Sequence, residues 1–258
     1  MLSDFFLAYV HFFAVLLPML AIGIVATGAA RARLDGADLG WALILMATIL
    51  GLWYAVAMHL SEANVFNVPA TLMDPPVVLM FLFGGAALLW GLARLTERGR
   101  SISDQVDLGT LAAFQIPRAM GGVFVLGWAL GVIPWQFALP AGLGDIWAGV
   151  AGYQAWRAVR TGAADARRKV IQANVIGMAD FGVAVLTGIM TSEGFLHLMA
   201  HDTPNIINLH PLAMFPGFFV PLFFFDRAHE GIEQGVCAVR GPLPAHLPGD
   251  GNQLAPGV

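Results

Sequence analysis

A single cysteine, a single lysine and few charges of either sign set the first limits on this 258-residue chain. With only Cys237 there is no internal disulfide and no CxxC motif for metal or redox work. The one lysine, Lys169, lies in a short basic segment between apolar runs, which excludes a retinal Schiff base inside a bundle. Charged residues make up 12% of the chain, against roughly a quarter in soluble domains. That leaves too little polar surface to cover a soluble protein of this length. The net charge of −4 gives no support to nucleic-acid binding. No GxSxG, Walker loop or GxGxxG occurs, so the common hydrolase, NTPase and dinucleotide signatures are missing. Met1-Leu-Ser-Asp4 lacks a positive region and a small-residue cleavage site, so the first apolar run reads as a retained transmembrane helix rather than a signal peptide.

What the chain has in excess is hydrocarbon. Hydrophobic residues reach 58%, gathered in runs long enough to cross a bilayer core, which takes about 20 helical residues. Seven spans follow: 5–28, 39–60, 76–96, 115–134, 138–157, 170–192 and 209–226. The fourth and fifth are joined through Pro134-Trp-Gln-Phe-Ala-Leu-Pro140, read as a tight hairpin. The expected fold is an all-α integral membrane protein. Residues 1–230 form a bundle of seven transmembrane helices, and the Gly- and Pro-rich 231–258 form a flexible cytoplasmic tail.

Basic residues orient the bundle. Arg31 and Arg33, the Arg94–Arg118 group, Arg157 through Lys169, and Arg227 and Arg240 all fall on one side of a seven-span topology. The N-terminus is therefore expected outside and the C-terminus inside, in a bacterial inner membrane with the N-terminus periplasmic. Asp4, Glu62, Asp74, Glu193 and Asp202 then lie outside with no basic residue to balance them.

The segment richest in chemistry runs from Glu193 to Pro211. It holds three of the seven histidines, two carboxylates, Asn205 and Asn208 within 19 residues. His197 and His201 stand i, i+4, which on a helix puts both rings on one face. His11, His59 and His210 share the outer side with them. With Glu62 or Asp202 added, this histidine cluster could supply three or four ligands to a transition metal (Zn, Cu or Fe) or to haem iron, for redox or hydrolytic chemistry. The bland alternative is that imidazoles simply tolerate the interface.

Two acids lie inside spans: Asp145, about seven residues into the fifth, and Asp180, about ten into the sixth. An ionisable group at a helix centre costs about 2.5–3.5 kcal/mol to insert and marks a functional site by default. They are the candidate catalytic or coupling residues, with His11, Arg118, Asn174, Gln154 or a cation as possible partners. A packing hydrogen bond is the plain reading. Arg118, at the start of the fourth span, is expected to snorkel to the inner interface, with Asp107 in reach. Gly142 and Gly144 would let a neighbouring backbone approach closely. Pro211, Pro216 and Pro221 interrupt the last span, as in the broken helices of transporters.

Pro117-Arg118-Ala-Met-Gly121-Gly122 through Pro140-Ala-Gly142-Leu-Gly144-Asp145, with Asn174-Val-Ile-Gly177-Met-Ala-Asp180 and Pro216-Gly217-Phe-Phe-Val-Pro221, resembles an uncharacterised family of bacterial multi-pass membrane proteins over about residues 115–226. The resemblance implies an inner-membrane location and no activity. The HxxxH pair is also similar to that of seven-helix membrane hydrolases that hold zinc from their last helix. Here the pair ends the sixth span and the serine–histidine partner motif is missing. Two further functions stay open beside the metal site. One is a proton- or cation-coupled transporter using Asp145 and Asp180. The other is a non-catalytic subunit whose partners, besides the lipid bilayer, would be membrane proteins or a second copy of the chain.

Overall fold

A computed structural model describes residues 2–223; the expected tail, 231–258, lies outside the described residues. The elements in order are α1 (Leu2–Arg31), α2 (Gly36–Glu62), α3 (Val77–Leu95), α4 (Glu97–Ser103), α5 (Leu108–Phe114), a 3₁₀ segment (Ile116–Gly121), α6 (Gly122–Ala129), α7 (Trp135–Arg160), α8 (Ala166–Thr191) and a π segment (Phe215–Phe219). Among the described residues there is no strand. Five stretches among the described residues are helical, long and apolar enough to cross a membrane: α1, α2, α3, the run from Leu108 to Ala129, and α8. α1, α2, α3 and α8 bury only 11–22% of their most apolar window inside the protein. Side chains such as Phe12, Met19, Ile44 and Leu186 are exposed. A soluble protein would hide these faces, so they point to a lipid environment.

The expected spans 5–28, 39–60, 76–96 and 170–192 fall on the single helices α1, α2, α3 and α8. α7 contains the expected 138–157 and matches the others in length, but it carries Gln136, Asp145, Gln154 and two arginines. Three boundaries need correction. The fourth span starts at Leu108, because Asp107 caps α5 by accepting the Thr110 N–H at 2.9 Å. The hairpin is 130–134, not 134–140. Gly131 takes a left-handed φ of 74° and stops α6, Pro134 caps α7, and Pro140 lies within that helix. In the last span, helix begins only at Met214.

Proline chemistry explains that last element. Pro221 has no N–H to give the Gly217 carbonyl one turn back. The Trp53 indole donates to that carbonyl instead, at 3.0 Å. Val220 N–H reaches back to the Phe215 carbonyl, five residues away, which makes the segment π rather than α.

α7 is the hub, packing on α5, the 3₁₀ segment, α6 and α8. Its contact face is small: Ala138, Ala141, Gly142, Ala148, Gly149 and Gly152 are buried, so neighbouring backbones come close. The larger part of the core is aromatic, with Phe66, Phe218 and Phe219 fully enclosed.

Helix ends sort into two rims. At one, Arg31 pairs with Asp107 at 2.5 Å, Arg94 with Asp104 at 2.7 Å and Arg98 with Asp38 at 2.7 Å. Gly109 lies against Val159, bringing the end of α7 to the same rim. Every described arginine and lysine except Arg118 belongs to this rim. The opposite rim gathers the ends of α2 and α8 with the loops 63–76 and 192–213. There the Phe195 N–H donates to Pro69 O at 3.2 Å.

Candidate functional site

Arg118 overturns the snorkelling expectation. Its side chain is 7% exposed and lies between two carboxylates. Nε and Nη2 donate to Asp145 Oδ1 at 3.0 and 2.8 Å, and Nη2 also donates to Asp180 Oδ2. Nη1 reaches the Gly177 carbonyl at 3.4 Å, and the Phe223 ring centroid is 5.8 Å from Cζ. All three guanidinium nitrogens are thus engaged. Asp107, the acid that an interfacial Arg118 would have had in reach, pairs with Arg31 instead. Burial works against the charged form of Asp107. It is outweighed by hydrogen bonds from the Thr110 hydroxyl, Arg31 and the Thr110 N–H and by the guanidinium's charge, which bring its carboxyl down to about 2.

Local sequence builds this cluster. Pro117 sits at the start of the 3₁₀ segment, whose tighter winding interrupts the run from Leu108 to Ala129 near its middle and presents Arg118 inward. Asp145 and Asp180 lie near the middles of α7 and α8. A methyl group at Gly144 would overlap the Asp180 carboxylate, and one at Gly121 would overlap that of Asp145. Only glycine allows the approach. Isolated, each ion would cost several kcal/mol to bury. Together they carry formal charges of +1, −1 and −1.

The cluster borders a cavity of about 320 Å³. Phe124, Phe137, Leu82 and Phe215 are among its mostly apolar walls, and Pro69, Asp74 and Asn208 line it on the side of the rim opposite the arginines. Asp145, 19% exposed against 3% for Asp180, is the acid that presents more surface. A larger cleft of about 560 Å³ opens at the other rim beside Trp41 and Trp90. Its Arg94 and Arg98 already have carboxylate partners on the surface. The smaller cavity, with the charged cluster on its wall, is therefore the candidate site.

The histidines do not assemble. The 192–213 stretch is irregular, with Ala200 in the left-handed region at φ 64°, so His197 and His201 are not on a helix face. Their rings still meet, with centroids 4.7 Å apart, and His197 Nε2 is buried without a hydrogen bond. His210 Nδ1 lies 3.2 Å from Ser61 Oγ. His11, His59 and His201, with Glu62 and Asp202, are exposed. Among the described residues, no three His, Cys, Asp or Glu side chains come together where they could hold one metal ion. The geometry gives the metal or haem reading no support. Asn205 and Asn208 instead fasten the loop to the end of α8. Asn205 Nδ2 donates to Thr191 Oγ1 at 3.0 Å and Asn208 Nδ2 to Ser192 Oγ at 3.2 Å.

Fold and site together define an all-helical, membrane-type protein with a mid-bundle arginine clamped by two aspartates. The family model of a domain of unknown function (DUF8737) matches residues 75–228, and the chain belongs to that family. No curated protein and no solved structure matches the chain.

Proposed function

We propose that this protein is a proton- or cation-coupled carrier whose coupling site is Arg118, Asp145 and Asp180. The observation that carries the reading is a buried cluster of two acids and one base bordering a cavity. With both acids ionised its formal charge is −1, and one proton or one monovalent cation brings it to zero. Ionisable acids inside hydrocarbon are costly to keep charged, and we assign to this pair the uptake and release of one positive charge.

The surroundings fit this reading. The 3₁₀ segment lies at Arg118, and the π segment includes Phe215 and Pro216 of the cavity wall. Interrupted helices at mid-membrane are where carriers place their sites. On the seven-crossing topology, α1, α2, α3, the run 108–129, α7, α8 and the expected last span 209–226, whose final residues lie outside those described, cross in turn. The arginine rim is then cytoplasmic by the positive-inside rule, and the cavity faces the periplasm of a bacterial inner membrane.

Infrared difference spectroscopy of the protein in lipid nanodiscs, titrated over the pH range in which it stays folded, tests the proposal. A carbonyl band of a protonated carboxylic acid should appear in the native protein and vanish in the Asp145→Asn/Asp180→Asn double variant. A spectrum with no titrating acid that distinguishes the two would make the cluster a fixed packing clamp and refute the carrier reading.

A further inference from the structure

The arginine rim is not uniform, and its two halves differ in how their charges are balanced. Arg31, Arg94 and Arg98 pair with Asp107, Asp104 and Asp38. Where α7 ends and α8 begins, Arg157, Arg160, Arg167, Arg168 and Lys169 share the corner with a single acid, Asp165. Among the described residues none of these five cations is in an ion pair. Arg160 lies over the Trp156 ring, 5.4 Å from its centroid, and Lys169 Nζ donates to the neutral Gln154 Oε1 at 3.4 Å. From this corner a surface groove of about 410 Å³ runs along both helices. Lys169, Gln154 and Gln172 form its polar end, and Trp147, Val175 and Ile176 its apolar end. Trp147 to Gln154 on α7 and Lys169 to Ile176 on α8 are each a seven-residue step, about 10 Å of helix. The groove thus passes from the depth of a lipid headgroup to that of acyl carbons. Trp147 and Val175 are each 63% exposed, so no other described element covers the apolar end.

We infer that this groove holds one phospholipid with an anionic headgroup. Charge selects the class. Basic residues beside a membrane attract anionic lipid, and here the cations lack the carboxylate partners that their counterparts at Arg31, Arg94 and Arg98 have. A zwitterionic headgroup would bring its own cation to a corner already rich in them. Hydrogen bonding gives the headgroup a point of attachment. An ammonium has three donors, Gln154 takes one of those on Lys169, and the other two can serve phosphate oxygens. The apolar end selects a lipid over a free phosphate ion, which would use only the polar end and leave Trp147, Val175 and Ile176 without a role. The site stands apart from Arg118 and its acids, so its fate and that of the carrier reading are independent.

Native mass spectrometry of the protein released from detergent micelles, titrated with phosphatidylglycerol or with phosphatidylcholine of the same chains, tests the inference. The first phosphatidylglycerol should bind about tenfold or more tighter than the first phosphatidylcholine, since each basic residue near the headgroup contributes about fivefold. Lys169→Gln should weaken phosphatidylglycerol binding about fivefold, and Lys169→Arg should keep it. Arg98→Gln, which removes a charge already paired with Asp38, should change it less than about twofold. Glycerol 3-phosphate, the headgroup without chains, should not displace the lipid. Chain-brominated phosphatidylglycerol should also quench the part of the tryptophan fluorescence that Trp147→Phe removes, at lipid fractions where brominated phosphatidylcholine does not. Equal affinity for the two lipids would overturn the inference, and this comparison on the native protein decides even if a variant fails to fold. Equal losses in Lys169→Gln and Arg98→Gln would overturn the placement at this groove, and displacement by glycerol 3-phosphate would make it a phosphate site rather than a lipid site.

Discussion

Replacing Arg118 by methionine removes a buried positive charge from the bundle interior while keeping most of the side-chain volume. The structure sets the size of the effect. Arg118 makes two hydrogen bonds to Asp145 at 3.0 and 2.8 Å, one to Asp180, and a longer one to Gly177 O at 3.4 Å. Its side chain is 7% exposed, so solvent cannot take over. Removing one member of a buried ion pair costs about 3–5 kcal/mol, because the partner charge stays behind. Here two carboxylates stay behind, so we expect the upper half of that range for Arg118→Met. Neutralising them as well, in Arg118→Met/Asp145→Asn/Asp180→Asn, should return stability to within about 1–2 kcal/mol of the native protein, since a fully neutral replacement is often tolerated. Unfolding by sodium dodecyl sulfate in mixed micelles reads both quantities. A cost below about 1 kcal/mol for the single variant, the level of an exposed ion pair, would show that Arg118 is not a buried counter-ion. So would a triple variant no more stable than the single one.

Two further predictions test the frame around the cluster. Asp107 has its folded value depressed to about 2 from 3.8. The stability it contributes is therefore complete above the unfolded value and is lost as pH falls from about 3.8 through 2. The pH dependence of unfolding in that window should flatten in Asp107→Asn, and an unchanged profile would contradict the assignment. Gly144→Ala, whose added methyl overlaps the Asp180 carboxylate, should cost about 1–3 kcal/mol by overpacking. Gly182→Ala on the same helix bundle, where nothing lies within 4 Å of the new carbon, should be neutral or slightly stabilising. Equal effects in the two variants would refute the close approach of α7 and α8.

Much of the frame was legible because hydrocarbon runs and rim arginines are composition, and composition survives without knowledge of contacts. α1, α2, α3 and α8 could be drawn from it. The cost of burying acids also singled out Asp145 and Asp180, with Arg118 among their possible partners. What misled was register. Starting the fourth span at Gln115 put Arg118 at the interface. Starting it at Leu108, after the Asp107 cap, puts Arg118 at mid-span, and the signal for that start was Asp107 three residues before Thr110. The histidines misled for a different reason. One-sided placement gathers residues at a rim, but convergence on a point needs a helix or a fastened loop aimed inward. The 192–213 loop is fastened by Asn205 and Asn208, leaving the His201 ring exposed.

The family match begins at residue 75, so it contains Arg118, Asp145 and Asp180 and both interrupted segments, and leaves α1 and α2 outside. Those two helices nevertheless reach the interrupted segments. Tyr9 of α1 donates to Met120 O in the 3₁₀ segment, and Trp53 of α2 donates to Gly217 O in the π segment. Backbone groups released inside a bilayer must find partners within the protein. The Gly217 carbonyl released by Pro221 takes its donor from Trp53 of α2, and Tyr9 of α1 adds a donor to Met120 O at the other bend, beside the N–H of Gly122. On this view α1 and α2 are more than lipid-facing walls: they hold the two irregular segments in the shapes that keep Arg118 between its acids and the cavity open beside them.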